Sequence, residues 1–329
     1  MAWTVTQGTN NLTTGKADDS ESSQTALAVV VCTFATLGLA LNFLLNPLML
    51  LVLHRVTSIQ PTTKIFMVSL TASDLGSGLV WLLELPELFL GAWPLGGFLC
   101  AATGVMMFTT RAMGVFSLLL LTVNRYIAVS RPLRYPTLMT VFRSKVIVCS
   151  TWAAVTAICI TVYGIYHPKY ILESGPLKLC IWESDWRQYV SIVTMLSVLL
   201  VVSFLYVHIL MIARRHARRI ATDNQVGNGQ AMGQIPQNVS TRSTTTVVII
   251  TGTLMVSWLP TVIILSTLIP ETDFAGYRIF LLVNLTDDFL LANTWLNVII
   301  YYLRNRDLRQ TIHLILSAWL SHLCRGPRP

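Results

Sequence analysis

An all-α membrane protein, folded as a seven-transmembrane helix bundle with a short amphipathic C-terminal helix, is the fold class this sequence predicts, and three observations predict it. The 329 residues are 53% hydrophobic and only 12% charged, with a mean hydropathy of +0.62, whereas charged residues make up about a quarter of a typical soluble domain. Seven apolar segments, at about 26–53, 65–90, 97–123, 146–166, 189–213, 247–269 and 279–303, are each long enough to cross a hydrocarbon core as a helix. The basic residues alternate with them. Seventeen of the 23 lysines and arginines fall on one side of that alternation, five on the other, and Arg111 inside the membrane, which sets the N-terminus outside and the C-terminus inside. The formal charge of +8 is therefore a topology signal, and nucleic acid is set aside as a partner.

Residues 1–25 are polar, with Asp18, Asp19 and Glu21, and are expected to form a disordered extracellular tail. Asn11-Leu12-Thr13 is a sequon that makes Asn11 a glycosylation acceptor on that side. The apolar stretch from Ala26 to Leu53 is too long for a signal peptide and is expected to stay as the first helix of a bundle spanning 26–303. Of the six cysteines, only Cys100 and Cys180 fall on loops of the same side, so one disulfide is the natural count.

The third segment organises the rest. Between Ala101 and Val123 its one charge is Arg111. Fourteen residues separate Arg111 from Arg125, close to four helical turns, so both project from nearly the same face about 21 Å apart. Two arginines on one face of a spanning helix require a polar bundle interior.

Between Arg219 and Arg242 the chain is rich in Gln, Asn and Gly and reads as a flexible cytoplasmic linker. The run Ser240 to Thr246 beside it offers phosphate acceptors, which makes arrestin a candidate partner. Residues 304–329 are expected to hold the amphipathic helix, with Leu308, Ile312, Leu314, Ile315 and Trp319 set among basic and polar residues for contact with membrane lipids, followed by a short cytoplasmic tail. Cys324 near its end is either palmitoylated or an unmodified thiol. No internal repeat is evident, which weakens a transporter built from duplicated halves.

Charged and amide groups inside spanning helices are costly and usually face the interior. Here they are Asn46, Asp74, Glu84, Arg111, Asp287, Asp288, Asn293 and Asn297. Asparagines hold helices together by hydrogen bonds. Asp74 is different: a mid-membrane carboxylate needs a cation, a proton or several donors, and Asn46, Asn293 and Asn297 are amides able to complete a polar cluster round a small ion.

At this point the pattern resembles the rhodopsin-like G-protein-coupled receptors, over nearly the whole chain from 30 to 320. The residues that carry it are Asn46 in the first helix, Leu70 to Asp74 in the second, Cys100 and Asn124-Arg125-Tyr126 in the third and Trp152 in the fourth. Tyr206 follows in the fifth, Ser257-Trp258-Leu259-Pro260 in the sixth, and Asn297 with Tyr301 in the seventh. The resemblance implies a disulfide between Cys100 and Cys180 and a structural sodium ion held by Asp74, Asn293 and Asn297, with no other cofactor. It also makes Trp258 the toggle beneath the ligand, and it implies a switch of Arg125 with Tyr206 and Tyr301, flanked by Asn124 and Tyr126, that opens to a heterotrimeric G protein. The function expected is a plasma-membrane receptor, not an enzyme, for an unidentified extracellular ligand held by Met107, Phe108, Arg111, Glu84, Trp258 and Asp287. The rivals are a transporter or channel and a decoy receptor that does not couple.

The sequence departs from the family at four places: Asn124 replaces an acidic residue, Val198 and Val298 replace prolines, and Gly114 replaces a serine beside the sodium pocket. Asn124 offers Arg125 an amide oxygen instead of a charge, so raised basal activity is expected. Ligand class stays open. Met107 stands where amine receptors carry an aspartate, and the seventh segment lacks the lysine that retinal requires. Arg111 either holds a carboxylate or phosphate ligand or makes an internal pair with Glu84, Asp287 or Asp74. Glu84, Glu87, Asp287 and Asp288 make the outer mouth acidic, which favours a cationic or peptide ligand, and Trp93, Trp182 and Trp186 are aromatic contacts or interfacial belt residues.

Overall fold

A computed structural model describes residues 14–165, 172–174, 177–180, 193–194, 196–212, 215, 249, 252–253, 256–264 and 277–324. The helices, in chain order, are α1 (Thr14–Arg55), α2 (Pro61–Leu90), α3 (Gly96–Ser130), a single turn α4 (Tyr135–Leu138) and α5 (Val141–Cys159), which widens into a π-helical turn at Ile160–Ile165. They continue with α6 (Leu196–Ile212), α7 (256–264), α8 (Tyr277–Arg304) and α9 (Arg306–Cys324). With α4 and α9 set apart, these are the seven spanning elements in order. Among the described residues, the stretches Ser23–Arg55, Pro61–Leu90, Gly96–Ser130 and Val141–Val162 are long and apolar enough to cross a bilayer by themselves.

Two features differ from the expectation. Helix α1 begins at Thr14 and so runs into the polar stretch expected to be disordered. A small antiparallel hairpin, β1 (Leu172–Ser174) against β2 (Leu177–Leu179), precedes Cys180, with Leu172 opposite Leu179. Asn11, Trp182, Trp186, the linker 219–242 and the hydroxyl run Ser240–Thr246 lie outside the described residues.

Local chemistry sets the element boundaries. Pro61 opens α2, where its missing N–H costs nothing. Gly91 closes that helix in the left-handed region (φ 66°), its N–H returning to the Glu87 carbonyl at 2.8 Å. Thr140 caps α5 by accepting from the Arg143 N–H. Asn305 caps α9, its Oδ1 accepting from the N–H groups of Asp307 and Leu308 at 3.0 and 3.3 Å.

Helix α2 is the hub, packing against α1, α3, α5 and α8. An inner cluster of Met49, Leu53, Phe66, Leu118, Leu121, Ile209 and Leu308 ties one end of α1, α2, α3 and α6 to α9. An outer cluster of Val31, Leu39, Trp81, Leu88, Leu281 and Leu291 joins α1, α2 and α8. A third joins α3 to α5 through Met113, Val155 and Cys159. The outward faces are equally apolar: Phe34, Leu44, Phe89, Leu200 and Phe204 are each more than half exposed. Such a surface suits hydrocarbon and no aqueous monomer. Helix α9 turns Leu308, Ile312 and Ile315 inward and leaves Leu314 and Trp319 exposed, the two-sided pattern of a helix on a membrane surface.

Candidate functional site

At the outer end, the disulfide Cys100–Cys180 fastens the residue after β2 to the start of α3. The Cys180 N–H also donates to the buried Glu87 carboxylate, so α2 holds the same loop. Trp93 is buried and donates to the Gly96 carbonyl at 2.8 Å, a structural role at the turn between α2 and α3.

Beneath this lies a cavity of about 50 Å³ between α2, α3, α7 and α8. Its walls include Trp81, Glu84, Met107, Arg111 and Trp258, and its floor Asp74, Asn293 and Asn297. Arg111 Nη2 meets Asp287 Oδ2 at 2.9 Å, with the side chains 19% and 18% exposed. Of the two roles the sequence left open for Arg111, the internal pair is the one formed. Glu84 lies within electrostatic reach of Arg111, Asp287 and Glu87. Phe108 corrects its expected place: it is turned from the cavity and packs in the α3–α5 cluster with Met113, because it sits one helical position beyond Met107. Asp288 is buried on the opposite flank, within electrostatic reach of Cys32 on α1, and its oxygens have no hydrogen-bond partner among the described residues.

The floor is a network that sequence reasoning found only in part. Asn297 Nδ2 donates to Asp74 Oδ2 at 3.0 Å. Asn42, which the sequence did not single out, donates to the Asp74 backbone carbonyl at 3.0 Å and to Thr294 Oγ1 at 2.6 Å, joining α1, α2 and α8. Asn46 supports it from the same face, donating to the Asn42 carbonyl at 3.3 Å. The signal was available: Asn42 lies one turn before Asn46, on one face of a spanning helix. The Oδ1 atoms of Asn293 and Asn297 are buried without a partner among the described residues. With the Asp74 carboxylate they form a set of hard oxygens suited to a small alkali cation. A Cβ at Gly114 would have Ser73 Oγ 3.8 Å away, an ordinary van der Waals contact, so there is space for a side chain there.

At the inner end Arg125 lies within electrostatic reach of Tyr135, Tyr206 and Tyr301. Its expected companions are otherwise engaged. Tyr206 exchanges a 2.8 Å hydrogen bond with Thr122, and Tyr126 packs its ring on His208, centroids 5.6 Å apart. Asn124 accepts from the Tyr135 hydroxyl and donates to Thr63 Oγ1, both at 3.1 Å, while Thr62 and Tyr135 share a 2.7 Å bond. Asn124 thus ties α3 to α2 and to the α4 turn. Neither Arg125 Nε nor the Tyr301 hydroxyl has a partner among the described residues. Trp152, quoted for the resemblance, joins α5 to α2 by donating to Ser69 Oγ at 3.0 Å, which in turn bonds Ser117 of α3 at 2.8 Å.

A family model described as 7 transmembrane receptor (rhodopsin family) matches residues 45–301. The chain belongs to the rhodopsin family of seven-transmembrane receptors. Relatives of this receptor include adenosine receptor A2b of Bos taurus, 26% identical over 287 residues and covering 82% of this chain and 83% of the relative. Trace amine-associated receptor 13c of Danio rerio is 27% identical over 313 residues, covering 90% and 87%. Melanocortin receptor 4 of Danio rerio is 27% identical over 310 residues, covering 88% and 85%. The receptor is accordingly a multi-pass membrane protein, and its relatives are receptors rather than enzymes.

Proposed function

We propose that this receptor takes an extracellular ligand into the cavity walled by Glu84, Met107, Arg111 and Trp258 and relays its binding to a heterotrimeric G protein at the face around Arg125. The observation that carries the reading is the inner end of α3. There a guanidinium lies beside Tyr206 and Tyr301 without being held by the residue before it, since Asn124 is bonded to Tyr135 and Thr63. A cation free to leave one set of neighbours for another is the bistable element a relay needs. The receptor sits in the plasma membrane with its N-terminus outside, Asn11 glycosylated, α9 on the lipid surface with Cys324 as its acylation site, and arrestin as a second cytoplasmic partner. A sodium ion at Asp74, Asn293 and Asn297 restrains it. The three relatives differ in the ligand their names carry at nearly equal identity, so their names do not choose one.

The test is nucleotide exchange on purified heterotrimeric G proteins by receptor reconstituted without ligand. Exchange above the rate of G protein alone, lost in Arg125→Ala at matched receptor concentration, is the expected result. Equal rates with and without receptor, across the G-protein subtypes, would identify a decoy instead.

A further inference from the structure

The cavity wall carries several side-chain oxygens alongside the indole N–H groups of Trp81 and Trp258 and the amide of Asn293. Its hydroxyls have spent their hydrogens on backbone carbonyls: Ser77 donates to Ser73 at 3.1 Å, Thr110 to Met107 at 3.2 Å and Thr294 to Leu291 at 2.6 Å. Ser77 and Thr110 are thereby left as acceptors at the cavity, whereas Thr294 already accepts from Asn42. Asn293, 6% exposed, lines the cavity with an Oδ1 that nothing among the described residues satisfies. The Glu84 carboxylate lines it as well. The one cation on the described wall, Arg111, is paired with Asp287 at 2.9 Å. That pairing engages one carboxylate, so Arg111 does not balance Glu84 on the wall and Asp74 on the floor as well. Around these acceptors the wall is apolar, with Trp81, Met107, Trp258 and Leu290.

We infer that the ligand of this receptor is a small organic monocation, an ammonium on an apolar body, whose charged head is received by Glu84 of α2 and not by Arg111. A protonated amine brings donors for these oxygens and one positive charge, and an unpaired positive charge is what the described wall lacks. A carboxylate or phosphate would add negative charge beside Glu84 and would have to compete with Asp287 for Arg111. The apolar body is taken by the tryptophans, whose faces also favour a nearby cation. On the third helix Met107 contributes shape and no charge, and Arg111 is already paired with Asp287. This inference rests on the cavity being the ligand site, as proposed above.

The experiment is the thermal unfolding of purified receptor in potassium chloride, without G protein, in the presence of millimolar benzylammonium, phenylacetate or benzyl alcohol. These share one apolar body and differ in charge. Benzylammonium is expected to raise the unfolding temperature, and phenylacetate and benzyl alcohol to leave it unchanged or lower it. In Glu84→Gln the benzylammonium concentration needed for the same shift should rise about tenfold or more, the scale of one charge-assisted hydrogen bond, whereas Glu84→Asp should retain much of the response. Greater stabilisation by phenylacetate, no shift with any probe, or an undiminished benzylammonium shift in Glu84→Gln would each overturn the inference. If Glu84→Gln does not fold, the three probes on the unaltered receptor and on Glu84→Asp still decide it. Because this assay contains no G protein and the exchange assay contains no probe, failure of one is distinct from failure of the other.

Discussion

At the scale of single residues, the two arginines of α3 show how one side chain takes its role from its neighbours. Arg111 and Asp287 form a partly buried pair at 2.9 Å. Removing one member strands the other's charge in the bundle, while removing both leaves neither and takes one cation and one anion together from beside Glu84. Arg111→Met should therefore destabilise by about 2 kcal/mol or more, between the values for surface and fully buried pairs. Arg111→Met/Asp287→Leu should recover most of that loss, and unfolding temperatures of the two single variants and the double measure it. Additive losses would mean the pair is not coupled. Arg125 has the opposite situation. Asn124 accepts from Tyr135 and donates to Thr63, so it gives Arg125 no charge. An aspartate there keeps the acceptor for Tyr135, takes the Thr63 hydroxyl as a donor and adds an anion beside the guanidinium. Asn124→Asp should lower ligand-free nucleotide exchange several-fold, since 1.4 kcal/mol is a tenfold change in a population ratio. Exchange that is unchanged or raised at matched receptor concentration would refute the restraint argument.

At the scale of elements, the contact of α1, α2 and α8 depends on a close approach at Gly78. A Cβ there would fall 2.3 Å from Asn42 Oδ1, and Asn42 is the residue that binds the Asp74 carbonyl and Thr294. Alanine is ordinarily the better helix former, by about 0.8–1 kcal/mol. Here it should destabilise, since overpacking a buried contact costs about 1–3 kcal/mol and displaces a polar network as well. Gly78→Ala should lower the unfolding temperature, and an increase would show that Asn42 is free to move. The seven spans and the pairing partners of the disulfide were legible in the sequence, because apolar length and cysteine placement are each local signals. The hydrogen bonds between helices were less so. Ser69, Ser117, Thr62, Thr63 and Thr122 look like any hydroxyls on a membrane helix until the partners Trp152, Tyr135 and Tyr206 are brought to them. For the same reason the sequence grouped Asn124 and Tyr126 with Arg125, whereas Asn124 is bonded to Tyr135 and Thr63 and Tyr126 packs on His208; Tyr206 lies within electrostatic reach of Arg125 and also bonds Thr122. The site's charges were visible, but the choice of Asp287 as partner of Arg111 depends on how α8 is rotated against α3. The early start of α1 at Thr14 was missed because the stretch is polar, and helix propensity by itself is a weak signal.

At the scale of the whole molecule, one cavity extends from Glu84 and Arg111 to Asp74 and Asn297, and the Asp74 network continues through Asn42 to α1 and α8. Below it, Tyr206, Tyr301 and Leu121 belong to the inner cluster that surrounds Arg125. An occupant of the floor can therefore bias the face where a G protein binds, provided it prefers one arrangement of the helices. Sodium is the occupant proposed here, and because Gly114 supplies no oxygen the proposed site is expected to be a weak one. The measurement that tests this relay most directly is ligand-free nucleotide exchange on purified G protein with potassium chloride replaced stepwise by sodium chloride at constant ionic strength. Exchange should fall as sodium rises in the unaltered receptor and stay level in Asp74→Asn; equal rates in the two salts, or the same sodium response in Asp74→Asn, would contradict the account.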